Sequence, residues 1–252
     1  MFSVRERDLV RERLLRSARE DPAVLGAAIT GSLATGDADR WSDIDLALAV
    51  SDPLDAVMWR WTRRMYAEFG AAHHWDLPSG PLIYRVFLLP DCLEVDIAFG
   101  PAAEFGPRGP SWRLVFGQPA PPPIAAPAGP DQAAGPDQPA GLAWHHALHA
   151  RASIERGRWW QAEHWIGALR TETLALACLR LGFPTAYAKG AHRLPADLTG
   201  PLEATLVRSL DESELRRALR AAAAALGAEL ARTDAALAGR LHPTLTELAA
   251  AG

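Results

Sequence analysis

The sequence predicts an α+β protein in two parts, a mixed sheet flanked by helices followed by a C-terminal helical bundle, and three observations carry that prediction. In the first half, apolar runs of strand length alternate with amphipathic stretches of helical spacing. Residues 117–141 then read GQPAPPPIAAPAGPDQAAGPDQPAG, a proline-, alanine- and glycine-rich stretch with GPDQ written twice and almost nothing to bury. Beyond it alanine, leucine and arginine dominate, with breaks at Gly182-Phe183-Pro184 and Leu194-Pro195. The expected organisation is a first domain over 1–116, a linker over 117–141 and a helical domain over 142–252.

Each element follows from its pattern. Residues 4–18 set Val10, Leu14 and Leu15 on one side of a helix and leave arginines and glutamates on the other. Residues 24–30 (VLGAAIT) form an apolar run that reads as a buried strand ending in a turn at Gly31-Ser32. After a polar stretch over 35–42, residues 43–50 alternate Asp43, Asp45, Ala47 and Ala49 with Ile44, Leu46, Leu48 and Val50, the signature of a strand with two different faces. Residues 55–69 predict a helix, and 82–89 with 93–99 predict two strands joined at Pro90-Asp91. In the second half, helices are expected over 143–156, 159–181, 201–207 and 212–238, with the alanines at 221–225 as a close-packing face.

Composition bounds the function. A hydrophobic fraction of 49% and a charged fraction of 22% are those of a globular protein. The net charge of −4 lacks the basic excess of a phosphate-backbone binder, which argues against a nucleic-acid partner. Cys92 and Cys178 stand far apart and outside any CxxC spacing, so they read as buried thiols. The N-terminal residues mix charge with apolar side chains from the start, unlike a secretory signal, and no uncharged stretch reaches membrane-spanning length; the expected location is the cytoplasm, with no membrane partner.

The chemistry concentrates in three places: Gly31-Ser32, Ser42-Asp43-Ile44-Asp45-Leu46, and Leu93-Glu94-Val95-Asp96-Ile97. Residues two apart on a strand point the same way, so Asp43 and Asp45 place two carboxylates together. Adjacent carboxylates repel unless a cation or proton lies between them, and hard oxygen ligands suit Mg²⁺, which also accepts substrate phosphates. Asp96 offers a third carboxylate if its strand pairs beside the first. Glycine at 31 lets a backbone approach phosphate closely, and the serine hydroxyl can bind phosphate oxygens.

The segments GSLATGDADRWSDIDL and LEVDIAF together resemble the signature of the DNA polymerase β-like nucleotidyltransferases, and a separate helical second domain is similar to the antibiotic (aminoglycoside and lincosamide) adenylyltransferases among them. The resemblance implies Mg²⁺ bound by Asp43, Asp45 and Asp96, which also form the catalytic set, with Asp96 or its neighbour Glu94 as base toward the acceptor. It implies nucleotide contacts at Gly31, Ser32 and Ser42, and at Lys189, whose Ala188-Lys189-Gly190 setting looks similar to a lysine segment of the streptomycin-type enzymes. Thr35 stands where many minimal, antitoxin-like members carry arginine, which favours the small-molecule branch. The expected reaction is transfer of AMP from ATP to a hydroxyl of a small molecule such as an aminoglycoside-like antibiotic, with release of pyrophosphate. Two rival expectations stand beside it: a protein or RNA acceptor, and an antitoxin-like binding module without turnover, against which three mutually repelling acids count.

Other residues read more plainly. Arg85 within IYRVFLL asks for a partner, a carboxylate of the cluster or substrate, with a surface-facing strand position as the simpler account. His145 and His149, with His146 between them, have no third ligand at fixed spacing and read as a solvated helix face. Trp144, Trp159, Trp160 and Trp165 read as core, with one or two available to line an acceptor pocket. Asp37 and Asp39 read as loop solvation.

Overall fold

A computed structural model describes residues 1–51, 53–107, 109–121 and 138–250, and the chain divides into two compact units, Met1–Ala133 and Ala134–Gly252. The first unit is an α/β layer. Helix α1 (Val4–Glu20) starts at a capping box: the Ser3 hydroxyl accepts from the N–H of Glu6, and the Glu6 carboxylate accepts from the N–H of Ser3. There follow β1 (Val24–Thr30), the five-residue α2 (Gly31–Thr35), β2 (Ile44–Val50), α3 (Leu54–Phe69), β3 (His73–Ser79), β4 (Leu82–Leu88), β5 (Glu94–Pro101) and β6 (Trp112–Phe116). The six strands form one sheet in the order β3-β4-β5-β2-β1-β6. Only β2 and β5 pair in parallel; the other four pairings are antiparallel.

Strand alternation decides the layers. Ile44, Leu46 and Leu48 of β2 and Val95, Ile97 and Phe99 of β5 are at most 1% exposed, and they pack with Leu14 and Ala18 of α1 and Val57, Trp61 and Met65 of α3. That core fixes the register, since a slip of one residue would turn every apolar side chain to the other face. The alternate residues, Asp45 and Ala47 on β2 and Asp96 and Ala98 on β5, therefore occupy the face away from α1 and α3.

Two strands carry weak sequence signals. The expected strands at 82–89 and 93–99 are present as β4 and β5, but β3, with sequence HHWDLPS, has no clean alternation and includes Pro78. It is an edge strand paired only to β4, where proline is tolerated. At the opposite edge β6 ends just before Gly117.

The second unit is helical: α4 (Gln138–Glu155), α5 (Trp159–Arg180), α6 (Ala196–Glu203), α7 (Glu212–Thr233) and α8 (Ala235–Ala249). Residues 122–137 of the expected linker lie outside the described residues, and residues 138–141 open α4 rather than preceding it. The helix expected over 212–238 is two helices. Asp234 leaves the helical region at φ −150° and its carboxylate accepts from the N–H of Leu237 at 2.9 Å, so one residue stops α7 and caps α8. The helix expected at 201–207 lies earlier, because Pro195 at the preceding break is the N-cap of α6 and Pro201 falls in the second half of that helix rather than at its start. Leu215, Ala218, Leu219, Ala222, Ala223 and Leu226 bury one side of α7, as its alanine-rich pattern predicts.

Candidate active site

The parallel register of β2 and β5 sets Asp45 opposite Asp96 at the middle of the sheet, and Asp43 stands two residues before Asp45 at the entrance to β2. Three carboxylates from segments about fifty residues apart are thus brought together. They are held there by the apolar residues between them, which point into the core. Glu94 lies two residues before Asp96 on the same face and is 4% exposed. Burial, followed by the negative charges of Glu94, Asp45 and Asp43 and a hydrogen bond with Glu94, pushes the Asp96 carboxyl well above the usual carboxylate range. Its Oδ1 is buried without a hydrogen-bond partner among the described residues. A buried, orphaned oxygen among like charges fits a hard divalent cation, which supplies what the protein does not.

Gly31 is tied to this cluster twice. It adopts φ +61°, a left-handed conformation that favours glycine, and a Cβ built on it would run into the Asp45 carboxylate. The expected turn at Gly31-Ser32 is instead the short helix α2, closed by Gly36 at φ +86°; the N–H groups of Gly36 and Asp37 both donate to the Ser32 carbonyl at 3.1 Å. Ser32 itself is half-buried in the first turn of α2.

The loop between α2 and β2 is braced from inside. The Ser42 hydroxyl, expected to meet the nucleotide, accepts from the N–H of Asp39 at 2.9 Å and donates to the Asp39 carboxylate at 3.1 Å. Asp39, read as loop solvation, therefore organises the turn ahead of Asp43, and it also accepts from the N–H of Trp41. From α1, Arg7 is 4% exposed and donates to the carbonyls of Asp39 at 2.6 Å and Ser42 at 3.3 Å. Sequence reasoning missed Arg7. Its signal is the helical repeat, since it occupies the side of α1 that also carries Leu14 and Ala18.

The remaining expectations fall elsewhere. Arg85 faces α3, not the carboxylates: it makes a bidentate pair with Asp76, both bonds at 2.6 Å, and donates to the Thr62 hydroxyl. The surface-facing position is corrected to a partly buried ion pair. Lys189 is an exposed residue of the second unit, its Nζ 5.8 Å from the centroid of the Tyr187 ring. The histidines expected on a solvated helix face gather against Trp165: the His146 ring stacks on it at 5.2 Å, the His149 ring lies 5.0 Å away, and His145 and His149 are 4.3 Å apart. Of the four tryptophans read as core, Trp144 is fully buried and Trp160 is 77% exposed.

The sheet, the Gly31 turn into α2 and the strand-borne acids lie in a unit whose sequence is similar to a nucleotidyltransferase domain. Residues 11–77 match the family model of the nucleotidyltransferase domain, a stretch that contains Gly31, Ser32, Asp43 and Asp45 and stops short of Asp96. Among solved structures, the crystal structure of an aminoglycoside 6-adenyltransferase from Bacillus subtilis is similar at 12% identity and a TM-score of 0.35, over 91% of this chain and 89% of that one. No curated protein sequence matches the chain.

Proposed function

We propose that the protein transfers AMP from ATP to a hydroxyl of a small-molecule acceptor, with Asp43, Asp45 and Asp96 as its metal-binding and catalytic carboxylates. One observation carries the reading: the register that sets Asp45 beside Asp96, with Asp43 and Glu94 adding charge to the same buried spot. Such repulsion is maintained at a cost of stability, and divalent cation binding relieves it. Bound Mg²⁺ supplies charge neutralisation at the reacting phosphate and its departing pyrophosphate. Gly31, without a side chain, leaves room at the Asp45 carboxylate, and Ser32 at the start of α2 offers its hydroxyl and backbone N–H to phosphate oxygens. Arg7 and Ser42 hold the loop that aims Asp43.

The transfer balances simply. The acceptor hydroxyl oxygen forms a bond to the α-phosphorus as the bond from that phosphorus to the bridging oxygen of the β-phosphate breaks. The hydroxyl proton passes to the Asp96 carboxylate, with Glu94 behind it, and pyrophosphate leaves with the electron pair. Acceptor-dependent pyrophosphate release from labelled nucleoside triphosphates and Mg²⁺ tests the reading. Asp45→Ala is expected to lower it at least a thousandfold while the circular dichroism spectrum stays as in the wild type. Activity that survives Asp45→Ala sinks the carboxylate assignment.

A further inference from the structure

We infer that a cavity beside the carboxylates, wholly within the first unit, receives the acceptor, and that the acceptor enters it with an uncharged ring rather than as a polycation; this rests on the nucleotidyltransferase reading above. The sheet register places the cavity. One row of the open face runs Val86, Asp96, Asp45 across β4, β5 and β2, and the next row runs Tyr84, Ala98, Ala47, Ala28 from β4 to β1. Tyr84, Ala98 and Ala47 each stand two residues from their first-row neighbour on the same strand, about 6–7 Å away. The row after that passes through Gly100 and Ala49. Small side chains there leave a hollow of about 290 Å³ over Ala47 and Ala98, bounded by Leu82 where it packs on Gly100, walled by Tyr84 and Trp112, with Glu104 at its margin.

Three features of the hollow select its occupant. Its volume lies at the lower end of small-molecule sites, about 300–1,000 Å³, which suits one ring system. Its floor is aliphatic and its walls are aromatic, surfaces that hold a ring by burial and stacking. Glu104 is the single acidic residue among its described lining residues, and in the reading above the neighbouring carboxylates are committed to the metal, which leaves little negative charge to balance several ammonium groups desolvated together. Position separates acceptor from donor. Helix α2, the proposed phosphate contact, follows Thr30 and lies toward the Asp43 end of β2, whereas the hollow starts at Thr30 and extends past Ala47 and Ala98 to Gly100 and Pro101, which pair with the Ala49–Val50 end of β2. In-line displacement requires the attacking oxygen to approach from the side opposite the departing pyrophosphate. A hydroxyl one or two bonds beyond a ring lodged over Ala47 and Ala98 reaches the Asp96 carboxylate from that side.

Ligand-observed NMR on the full chain, with Mg²⁺ and a non-hydrolysable ATP analogue, tests the inference using benzyl alcohol, 2-phenylethanol and cyclohexylmethanol as ring alcohols and streptomycin as a polycation. The ring alcohols are expected to bind the wild type, and Ala98→Leu, which fills the floor, is expected to weaken them at least tenfold while affinity for the ATP analogue stays within twofold. Should that variant not fold, Trp112→Ala on the edge strand removes a wall and is expected to weaken the same probes at least fivefold. Ring alcohols bound equally by wild type and a folded variant, streptomycin bound in their place, or loss of the ATP analogue on filling the hollow would each overturn the assignment. A wild type that binds ring alcohols but no Mg²⁺–ATP analogue sinks the nucleotidyltransferase reading instead.

Discussion

At the scale of single residues, the structure ties identity to position most tightly at Gly31 and His146. An alanine at 31 meets two obstacles, a left-handed φ of +61° and a carboxylate where its methyl would go. The conformational part alone costs about 1 kcal/mol. Gly31→Ala is therefore expected to displace Asp45 and lower pyrophosphate release at least a hundredfold, with a melting temperature only a few degrees below wild type. A crystal structure of the variant with Asp45 unmoved would contradict this. His146 is held down to about 4, first by burial and then by positive charge on His145, His149 and His164. Unfolded, it takes its proton near 6.5, so its contribution to stability is complete above that pH and drains away as the pH falls toward 4. The wild type is expected to lose on the order of 2 kcal/mol across that window through this group, allowing for solvent screening of the partly open site. His146→Gln flattens the acid limb of a plot of unfolding free energy against pH; an unchanged limb would show the proton goes elsewhere.

At the scale of elements, legibility depended on how much of an element's identity lies in its own residues. Strands β1 and β2 are plain in the sequence because apolar runs and alternation state both their existence and their buried face. Strand β3 is held by β4 rather than by its own residues, and the single long helix read at 212–238 hides a boundary that only the backbone of Asp234 reveals. Tertiary partners are similarly silent. Glu229 on α7 is 2% exposed and receives two hydrogen bonds from Arg180 on α5, at 2.7 and 3.1 Å. Removing the arginine leaves a buried carboxylate whose other cation, Arg232, stands 3.7 Å away. Arg180→Ala is expected to cost about 2–3 kcal/mol and to lower the melting temperature by about 5–10 °C. A change of less than 2 °C by scanning calorimetry would show that the pair contributes little to holding α5 against α7.

At the scale of the molecule, the acids of the candidate site were legible because the chemistry needs carboxylates at strand spacing, while their supports were not. Arg7 reaches the loop through a fold that joins residues 32 and 35 positions apart, and the hollow over Ala47 and Ala98 is an absence of side chains that no motif records. The parallel pairing of β2 with β5 joins residues about fifty positions apart, since the chain must complete α3, β3 and β4 before β5 can dock. Contacts of that separation form after the entropy of closing the intervening loop has been surrendered. The acids assemble across this non-local seam, so a nascent chain that has emerged only as far as β2 presents half a coordination sphere and nothing to act with. Chemical competence in this protein is a property of the finished sheet and arises together with it.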